Sequence, residues 1–315
     1  MKTLAIETSC DDTSLAIVEY TWQYEVTKIL AYSQINDHQK YGWVVPEVAY
    51  RLHSEKIIAL IQEMWIQECM WVDSISVTTE PGLPWSLIVG KTTAAYLAHA
   101  RNKPLIEINH IDGHIYSLWL ERDTNEIIYP MIVLSASWWH NELYLLDWKN
   151  ITKLGTTLDD AAWECFDKVA RMLWWEYPWW PRISAQAMTW KPTPKPLFKS
   201  ILLDAQHRYD FSFSGMKSQV YNLLAKNPDI SISDICYEFQ ETMTDILVTK
   251  ALYAAKDHHA AMMWIVWWVS ANRRLRDKLN LSTDLPCIKP TKMVYSTDNA
   301  AMIWCVGLLR SNGSI

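Results

Sequence analysis

Glycine is nearly missing from this chain: there are 8 in 315 residues, where average usage would place about 22. A protein so short of glycine has few inexpensive ways to make tight turns, left-handed helix ends or close backbone approaches to a ligand. Cysteine is sparse as well. The six residues, at 10, 69, 165, 236, 287 and 305, contain no C-x-x-C pair, which argues against a disulfide framework and for reduced thiols. No apolar run reaches the length of a membrane span. The opening "MKTLAIETSCDDT" meets acidic residues too early for a secretory leader, so a cytoplasmic protein without a membrane partner is expected. Excess positive charge is also absent: 29 basic against 35 acidic residues leave a net −6. The local clusters "NRRLRDK" (272–278), "KPTPKPLFK" (191–199) and Lys168 with Arg171 each read most simply as solvated faces.

Tryptophan is what the chain has in excess, at 19 residues. Several come in pairs: "LSASWWHNELYLL" (Trp138, Trp139), "MLWWEY" (Trp174, Trp175), "YPWWPR" (Trp179, Trp180) and "VWWVSAN" (Trp267, Trp268). In the first of these, the apolar stretches on either side read as two strands, and a tight link between strands asks for Gly or Asn rather than an indole. The remaining composition, half hydrophobic and a fifth charged, is that of a globular protein long enough for two domains.

Hydrophobic patterning repeats. "TLAIE" (3–7), "SLAIVEY" (14–20) and "VTKILAYSQ" (26–34) read as three strands, followed by a helix after Pro46, strand "SISVT" (74–78), a helix over 86–101, strand "PLIEI" (104–108) and a helix from Ile111. The pattern then restarts with "MIVLSAS", "ELYLLDW" and "NITKLG" and a helix over 159–173. Later come a helix over 232–256, strand "MMWIV", a helix over 270–279, a strand near "KMVYS" and a closing helix from Asn299. Three strands followed by alternating helix and strand, twice, imply a duplicated α/β unit with a ligand cleft. The segment 176–215, rich in Pro and aromatics, reads as an insertion.

Three motifs carry chemistry. "NHIDGHIYS" puts His110 and His114 one helical turn apart on one face, the spacing that grips a metal ion, though spacing alone leaves a chance pair open. A zinc-protease reading lacks its Glu, because Ile111 follows the first His. In "YSTDNAAMI", Asp298 precedes a helix and either caps it or reaches a metal. "IETSCDDTSLAIV" sets Asp11 and Asp12 between two strands. "EPGLPWSLIVGKT" imitates a phosphate loop, but its apolar "SLIV" reads as a buried helix in which Gly90 serves packing.

Taken with "HQKYGWVVPEVAYRLH", "TLDDAAWECFDKVARMLWWEYPWWP", "DFSFSGMKSQV" and "FQETMTDILV", these stretches give a chain that resembles, nearly end to end, the TsaD family of tRNA threonylcarbamoyladenosine transferases, formerly called glycoproteases. The resemblance implies an α/β, duplicated actin-like, sugar-kinase and heat-shock-chaperone (ASKHA) fold: two ribonuclease-H-like domains with a nucleotide cleft. Its domains would be 1–128, joined by the closing helix 299–315, and 129–298. It implies one divalent metal ion, iron by family or zinc, on His110, His114 and Asp298. Ser135, Ala136, Ser137, Trp138, Trp139, Asp167, Trp180 and Asn272 would bind the substrate threonylcarbamoyl-AMP, with Asp11 a candidate catalytic residue. Implied partners are tRNA, a smaller paralogous (TsaB-like) subunit and a small (TsaE-like) ATPase. An ATP-dependent small-molecule kinase and a catalytically inactive scaffold are the alternatives.

The resemblance also bears on the indoles. Trp43, Trp85, Trp138, Trp139, Trp163, Trp179, Trp180, Trp267 and Trp268 stand where the family pattern carries Gly. Random inactivation would not strike Gly positions while sparing His110, His114, Asp167, Asn272 and Asp298. The pattern is that of one codon read as Trp where the source organism reads Gly.

Overall fold

A computed structural model of the protein describes residues 1–21, 23–65, 71–136, 140–148, 150–175, 180–187, 196–201, 204–267 and 272–311. β1 (Lys2–Glu7), β2 (Asp12–Tyr20) and β3 (Tyr24–Ser33) form an antiparallel meander. β1 and most of β2 are buried on both faces, the pattern of central strands covered by helices. α1 (Ile35–Gln39) and α2 (Pro46–Trp65) follow, and Pro46 opens the longer helix where its missing N–H would go unused anyway. β4 (Ser74–Glu80), α3 (Pro84–Arg101), β5 (Leu105–Asn109) and α4 (His110–Tyr116) complete the first series.

The second series is β6 (Met131–Ala136), β7 (Asn141–Asp147), β8 (Asn150–Gly155), α5 (Ala162–Met172), α6 (Trp180–Ala187), α7 (Ser214–Lys226), α8 (Ile232–Asp257), β9 (Met262–Val266), α9 (Arg273–Ser282), β10 (Cys287–Ile288) and α10 (Ala300–Ser311). One sheet has the order β3-β2-β1-β4-β5 and the other, read the same way, β8-β7-β6-β9-β10. The directions agree as well: the first three strands of each are antiparallel and the last two join in parallel. The chain is a duplicated α/β unit. Met1–Ile127 with Pro290–Ile315 form one compact unit and Ile128–Lys289 the other.

One expected strand is corrected. "KMVYS" is a 3-10 turn over Met293–Ser296, and the fifth strand of the second sheet is only Cys287–Ile288. Pro286 and Pro290 bracket that strand and lack the N–H groups that would lengthen the ladder. The pairing begins where the Met263 N–H donates to the Pro286 carbonyl at 2.9 Å.

In the first unit Leu4, Ile6, Leu15 and Ile17 pack with Val77, Val89 and Leu97. α10 adds Trp304, fully buried and edge-on to Tyr24 at 5.6 Å. In the second, Trp163 and Phe166 of α5 join Ile132, Leu134, Phe239 and Met243. Gly90 has the packing role its surroundings imply. A Cβ there would collide with the Thr8 hydroxyl, which donates to the Ser86 carbonyl at 2.8 Å and ties α3 to the segment after β1.

Candidate metal centre

β1, β4 and β5 run parallel, so the segments that follow β1 and β5 leave the same edge of the sheet. That edge is where open α/β sheets place their ligands. After β5 the chain enters α4 directly, and Asn109 caps it by accepting the Ile111 N–H at 2.8 Å. His110 and His114, one turn apart, are both buried. Between them Gly113 admits α10: a Cβ there would meet Ile303 Cδ1 at 2.8 Å and Met302 Cγ at 3.3 Å. Close packing of α10 on α4 brings in Asp298, two residues before α10.

The capping role open to Asp298 belongs to its neighbour. Asn299 Oδ1 accepts the Met302 N–H at 3.1 Å, which leaves the Asp298 carboxylate to the histidines. Asp298 Oδ1 lies 3.1 Å from His114 Nε2 and 3.5 Å from His110 Nε2, and the two Nε2 atoms are 3.3 Å apart. Ligand bonds of ~2.1 Å in tetrahedral array put donor atoms about 3.4 Å apart. The three atoms therefore fit a single divalent ion as they stand. Two imidazoles and one carboxylate form the facial set that suits iron(II) with open positions, and the same donors suit zinc.

Charge is distributed to match. Burial would depress His110, but the Glu7 and Asp298 carboxylates outweigh it and lift the imidazole to about 10. His114 goes the other way, pushed down to about 4, chiefly by burial and further by His110. Burial works to raise Asp298, yet the two histidines hold it well below the usual carboxylate range. Side chains that sequence reasoning passed over complete the centre. Glu7, fully buried at the end of β1, lies 3.1 Å from His110 Nδ1, with Ser9 Oγ at 3.2 Å from the same atom. The available signal was an acid ending the otherwise apolar "TLAIE".

The second unit repeats the strand-end logic. β6 and β9 pair in parallel from Met131↔Met262 to Ser135↔Val266, so the two strands end at the same edge. Ser135 and Ala136 are buried in β6; Ser137, Trp138 and Trp139 lie outside the described residues. Asn272 caps α9, its Oδ1 accepting the Leu275 N–H at 3.0 Å. α6 begins at Trp180, whose side chain is likewise outside the description. Asp167 is buried on α5, and burial, helped by Glu164 and opposed by Arg171, pushes it up to about 8.

The Asp167 shift has a sign that can be measured. A carboxyl that titrates near 4 unfolded and near 8 folded contributes stability below about pH 4 that is lost as pH rises toward 8. Asp167→Asn is expected to remove this slope, so its melting temperature should fall less than the parent's between pH 4 and 8. Parallel pH profiles for the two proteins would contradict it.

Two of the basic clusters are largely compensated among the described residues; residues 191–195 of the third lie outside them. Arg274 forks onto Glu241 at 2.6 and 2.7 Å, Lys278 reaches Asp245 at 2.6 Å, and Lys168 pairs with Asp160 at 3.0 Å.

Two groups stand out among the described indoles. Trp119, Trp264 and Trp304 are buried in ordinary core positions. Trp148, Trp174 and Trp267 instead hold left-handed backbone, with φ of 52°, 62° and 69°, a region that strongly favours glycine. Trp148 takes the first place of a two-residue hairpin link between the paired Asp147 and Asn150; the turns favoured for such links need positive φ at that place, which Gly supplies. Trp174 terminates α5: its N–H donates to the Arg171 carbonyl at 3.1 Å, and that of Trp175 to Ala170 at 3.3 Å. That is the Schellman pattern, whose left-handed residue is usually Gly. Trp148 and Trp174 reach this conclusion from backbone conformation alone, without any family pattern. Among the positions picked out by that pattern, Trp43 and Trp85 are exposed and Trp163 is buried beside Phe166. Trp138, Trp139, Trp179 and Trp268 are outside the described residues.

Comparison with known proteins agrees with this architecture. A family profile for TsaD, tRNA N6-adenosine threonylcarbamoyltransferase, matches residues 25–305. The Kosmotoga olearia protein bearing that name is 40% identical over 322 residues, covering 100% of this chain and 95% of the relative. The Bacillus subtilis protein is 38% identical over 321 residues, covering 98% and 90%. Among solved structures, T. kodakarensis HypF superposes with a TM-score of 0.67 at 12% identity, over 99% of this chain and 48% of that one. The activator of 2-hydroxyisocaproyl-CoA dehydratase from Clostridium difficile, solved with bound ADPNP, gives 0.54 at 12% identity, over 100% and 98%. Those two likenesses establish the actin-like (ASKHA) fold, and the sequence matches establish the family. This chain belongs to the TsaD family of tRNA N6-adenosine threonylcarbamoyltransferases.

Proposed function

We propose that the protein transfers the threonylcarbamoyl group of threonylcarbamoyl-AMP to N6 of adenosine 37 in tRNAs that read codons beginning with A, in the cytoplasm. Family membership supports the reaction class. The observation that carries the site is the convergence of His110 Nε2, His114 Nε2 and Asp298 Oδ1 within 3.1–3.5 Å of one another. These three would hold one divalent ion, iron by family and zinc by chemistry, with a smaller paralogous subunit and a small ATPase as partner proteins. No helix among the described residues is long and apolar enough to cross a membrane.

In this reaction the N6 amine attacks the carbamoyl carbon, a C–N bond forms, the bond to the phosphate oxygen breaks, AMP leaves, and the amine loses a proton. The carbonyl is already activated by its adenylate leaving group, so no covalent protein nucleophile is required. A divalent ion, when bound, supplies Lewis acidity and a template for the phosphate. Asp11, at the turn between β1 and β2, is the proton acceptor we assign. Burial, with the Asp298 charge behind it, lifts it to about 6, close to the range in which a general base works at neutral pH. Ser135 and Ala136 at the end of β6, Asn272 at the start of α9 and Asp167 on α5, with residues 137–139, orient the adenylate, and orientation alone supplies much of the rate.

The test uses the chain with glycine restored at positions 138, 139, 179, 180, 267 and 268, unmodified tRNA transcripts and threonylcarbamoyl-AMP, with N6-threonylcarbamoyladenosine measured by nucleoside mass spectrometry. Product is expected from transcripts with adenosine at position 37 and not from those with guanosine there. Phosphorylation of a small molecule in the absence of tRNA, with no modified nucleoside, would contradict the assignment.

A further inference from the structure

The buried carboxylate of Glu7 belongs to neither the metal ligands nor the proton acceptor proposed above, and among the described residues its hydrogen-bond partners are groups that can donate. Oε1 accepts the Ser9 N–H at 2.5 Å, and Oε2 accepts the Thr78 hydroxyl and faces His110 Nδ1 at 3.1 Å. Glu7 and Thr78 are fully buried. An ionised carboxylate is the side chain that can accept at both oxygens without offering a hydrogen. Each imidazole nitrogen that is not a ligand normally donates to such an acceptor, and that bond decides which nitrogen keeps its lone pair.

We infer that Glu7 is the positioning residue of the metal centre: by accepting the His110 Nδ1–H, it fixes the tautomer and ring orientation that point the Nε2 lone pair at His114 and Asp298. This rests on the reading of His110, His114 and Asp298 as a metal site. Three features set the orientation. Glu7 ends β1, and its carboxylate is anchored from β4 by Thr78 and from the following turn by Ser9. His110 opens α4 immediately after β5, on the same parallel edge. The carboxylate therefore stands behind the imidazole, on the side away from the two other ligand atoms.

Glu7→Gln keeps the shape and removes one acceptor, which makes the consequence specific. If the amide oxygen stays with Ser9, the NH2 group faces His110 and donates to Nδ1, driving the proton onto Nε2, the ligating atom. If the amide is reversed, its NH2 group opposes the Ser9 N–H. Removing such outer partners costs roughly 10–100-fold in metal affinity, and that is the loss expected for Glu7→Gln, with a larger one for Glu7→Ala. Glu47→Gln, the same change at an exposed carboxylate paired with Arg51, is expected to bind as the parent does.

The experiment is chelator competition for Zn(II) on the purified full chain, paired with 15N-detected histidine NMR of the zinc-loaded protein to read which His110 nitrogen keeps its proton. Expected are an Nδ1–H tautomer in the parent and a tenfold or greater affinity loss in Glu7→Gln at temperatures where both are folded. Equal zinc affinity with an unchanged tautomer in Glu7→Gln overturns the role of Glu7 alone. A parent chain that binds no zinc, cobalt or iron overturns the metal site and the role of Glu7 with it. If the Glu7 variants do not fold, Thr78→Val carries the test. It leaves the carboxylate but frees Oε2, and is expected to weaken zinc severalfold; unchanged affinity counts against the proposal.

Discussion

Glycine in place of Trp138, Trp139, Trp267 and Trp268 is expected to return adenine-nucleotide affinity that the chain with indoles lacks. Loops that take phosphate at the ends of parallel strands do so with backbone N–H groups at short range, and a Cβ with an indole behind it obstructs that approach. Trp267, the one of the four that is described, follows the last residue of β9 with φ of 69° and is buried. It stands at the carboxyl end of β9, the edge at which open α/β sheets place ligands. The same reasoning predicts stability. A residue other than glycine in the left-handed region is disfavoured by ~1–2 kcal/mol, and glycine returns about 0.5–1 kcal/mol of that through the entropy it loses on folding. Trp148 and Trp174 are 63% and 94% exposed, so little packing is lost there. Trp148→Gly and Trp174→Gly should each raise stability by up to about 1 kcal/mol, or ~2–4 °C in a unit of this size. Trp304→Gly should do the reverse, because a fully buried indole is removed from α10; truncations of that kind cost ~3–5 kcal/mol. Isothermal titration with AMP or ADPNP and thermal melts of each variant separate the two groups. Equal nucleotide affinity before and after, or melts lowered at 148 and 174 as at 304, would show the indoles to be native to their places.

The second large effect is at the metal centre. His114→Ala is expected to abolish stoichiometric binding of a divalent ion and to lower transfer at least 10²-fold. Lewis-acid stabilisation of developing charge amounts to several kcal/mol, and each 1.36 kcal/mol is tenfold in rate. The Asn109 cap of α4 and its Gly113 contact with α10 do not involve the buried imidazole, so both remain in the variant. Metal content by mass spectrometry of the purified variant, set beside its transfer rate, measures both. A His114→Ala protein that keeps one tightly bound ion, or full transfer, places the chemistry elsewhere.

The pieces of this site were unequally visible in the amino-acid order. His110 and His114 announced themselves because helical spacing turns an i, i+4 pair into a shared face, and the duplication was legible because strand and helix periods repeat. Asp298 was ambiguous. An acid before a helix is a cap until something shows that the next residue has taken that role, and Asn299 does so through a hydrogen bond that sequence does not reveal. Glu7 was missed because its function depends on strand neighbours: Thr78 lies 71 residues away and His110 lies 103. The strand expected at "KMVYS" failed for a related reason. Its β-prone residues belong to a 3-10 turn over Met293–Ser296, and the sheet had already closed at Cys287–Ile288 between two prolines. Trp148 and Trp174 show the converse. The pairing of Trp174 with Trp175 raised only an oddity and Trp148 raised none, and the sign of φ turned both into a physical requirement.

The central claim is that transfer runs on the ion held by His110, His114 and Asp298. It is tested most directly by stripping the Gly-restored protein with chelator and titrating metal back while following t6A formation on an unmodified tRNA. Activity is expected to rise with bound metal and to level off at one ion per chain, and no such rise is expected in the His110→Ala, His114→Ala double variant. Full activity in the stripped protein, or metal-dependent activity that survives the loss of both histidines, would contradict it.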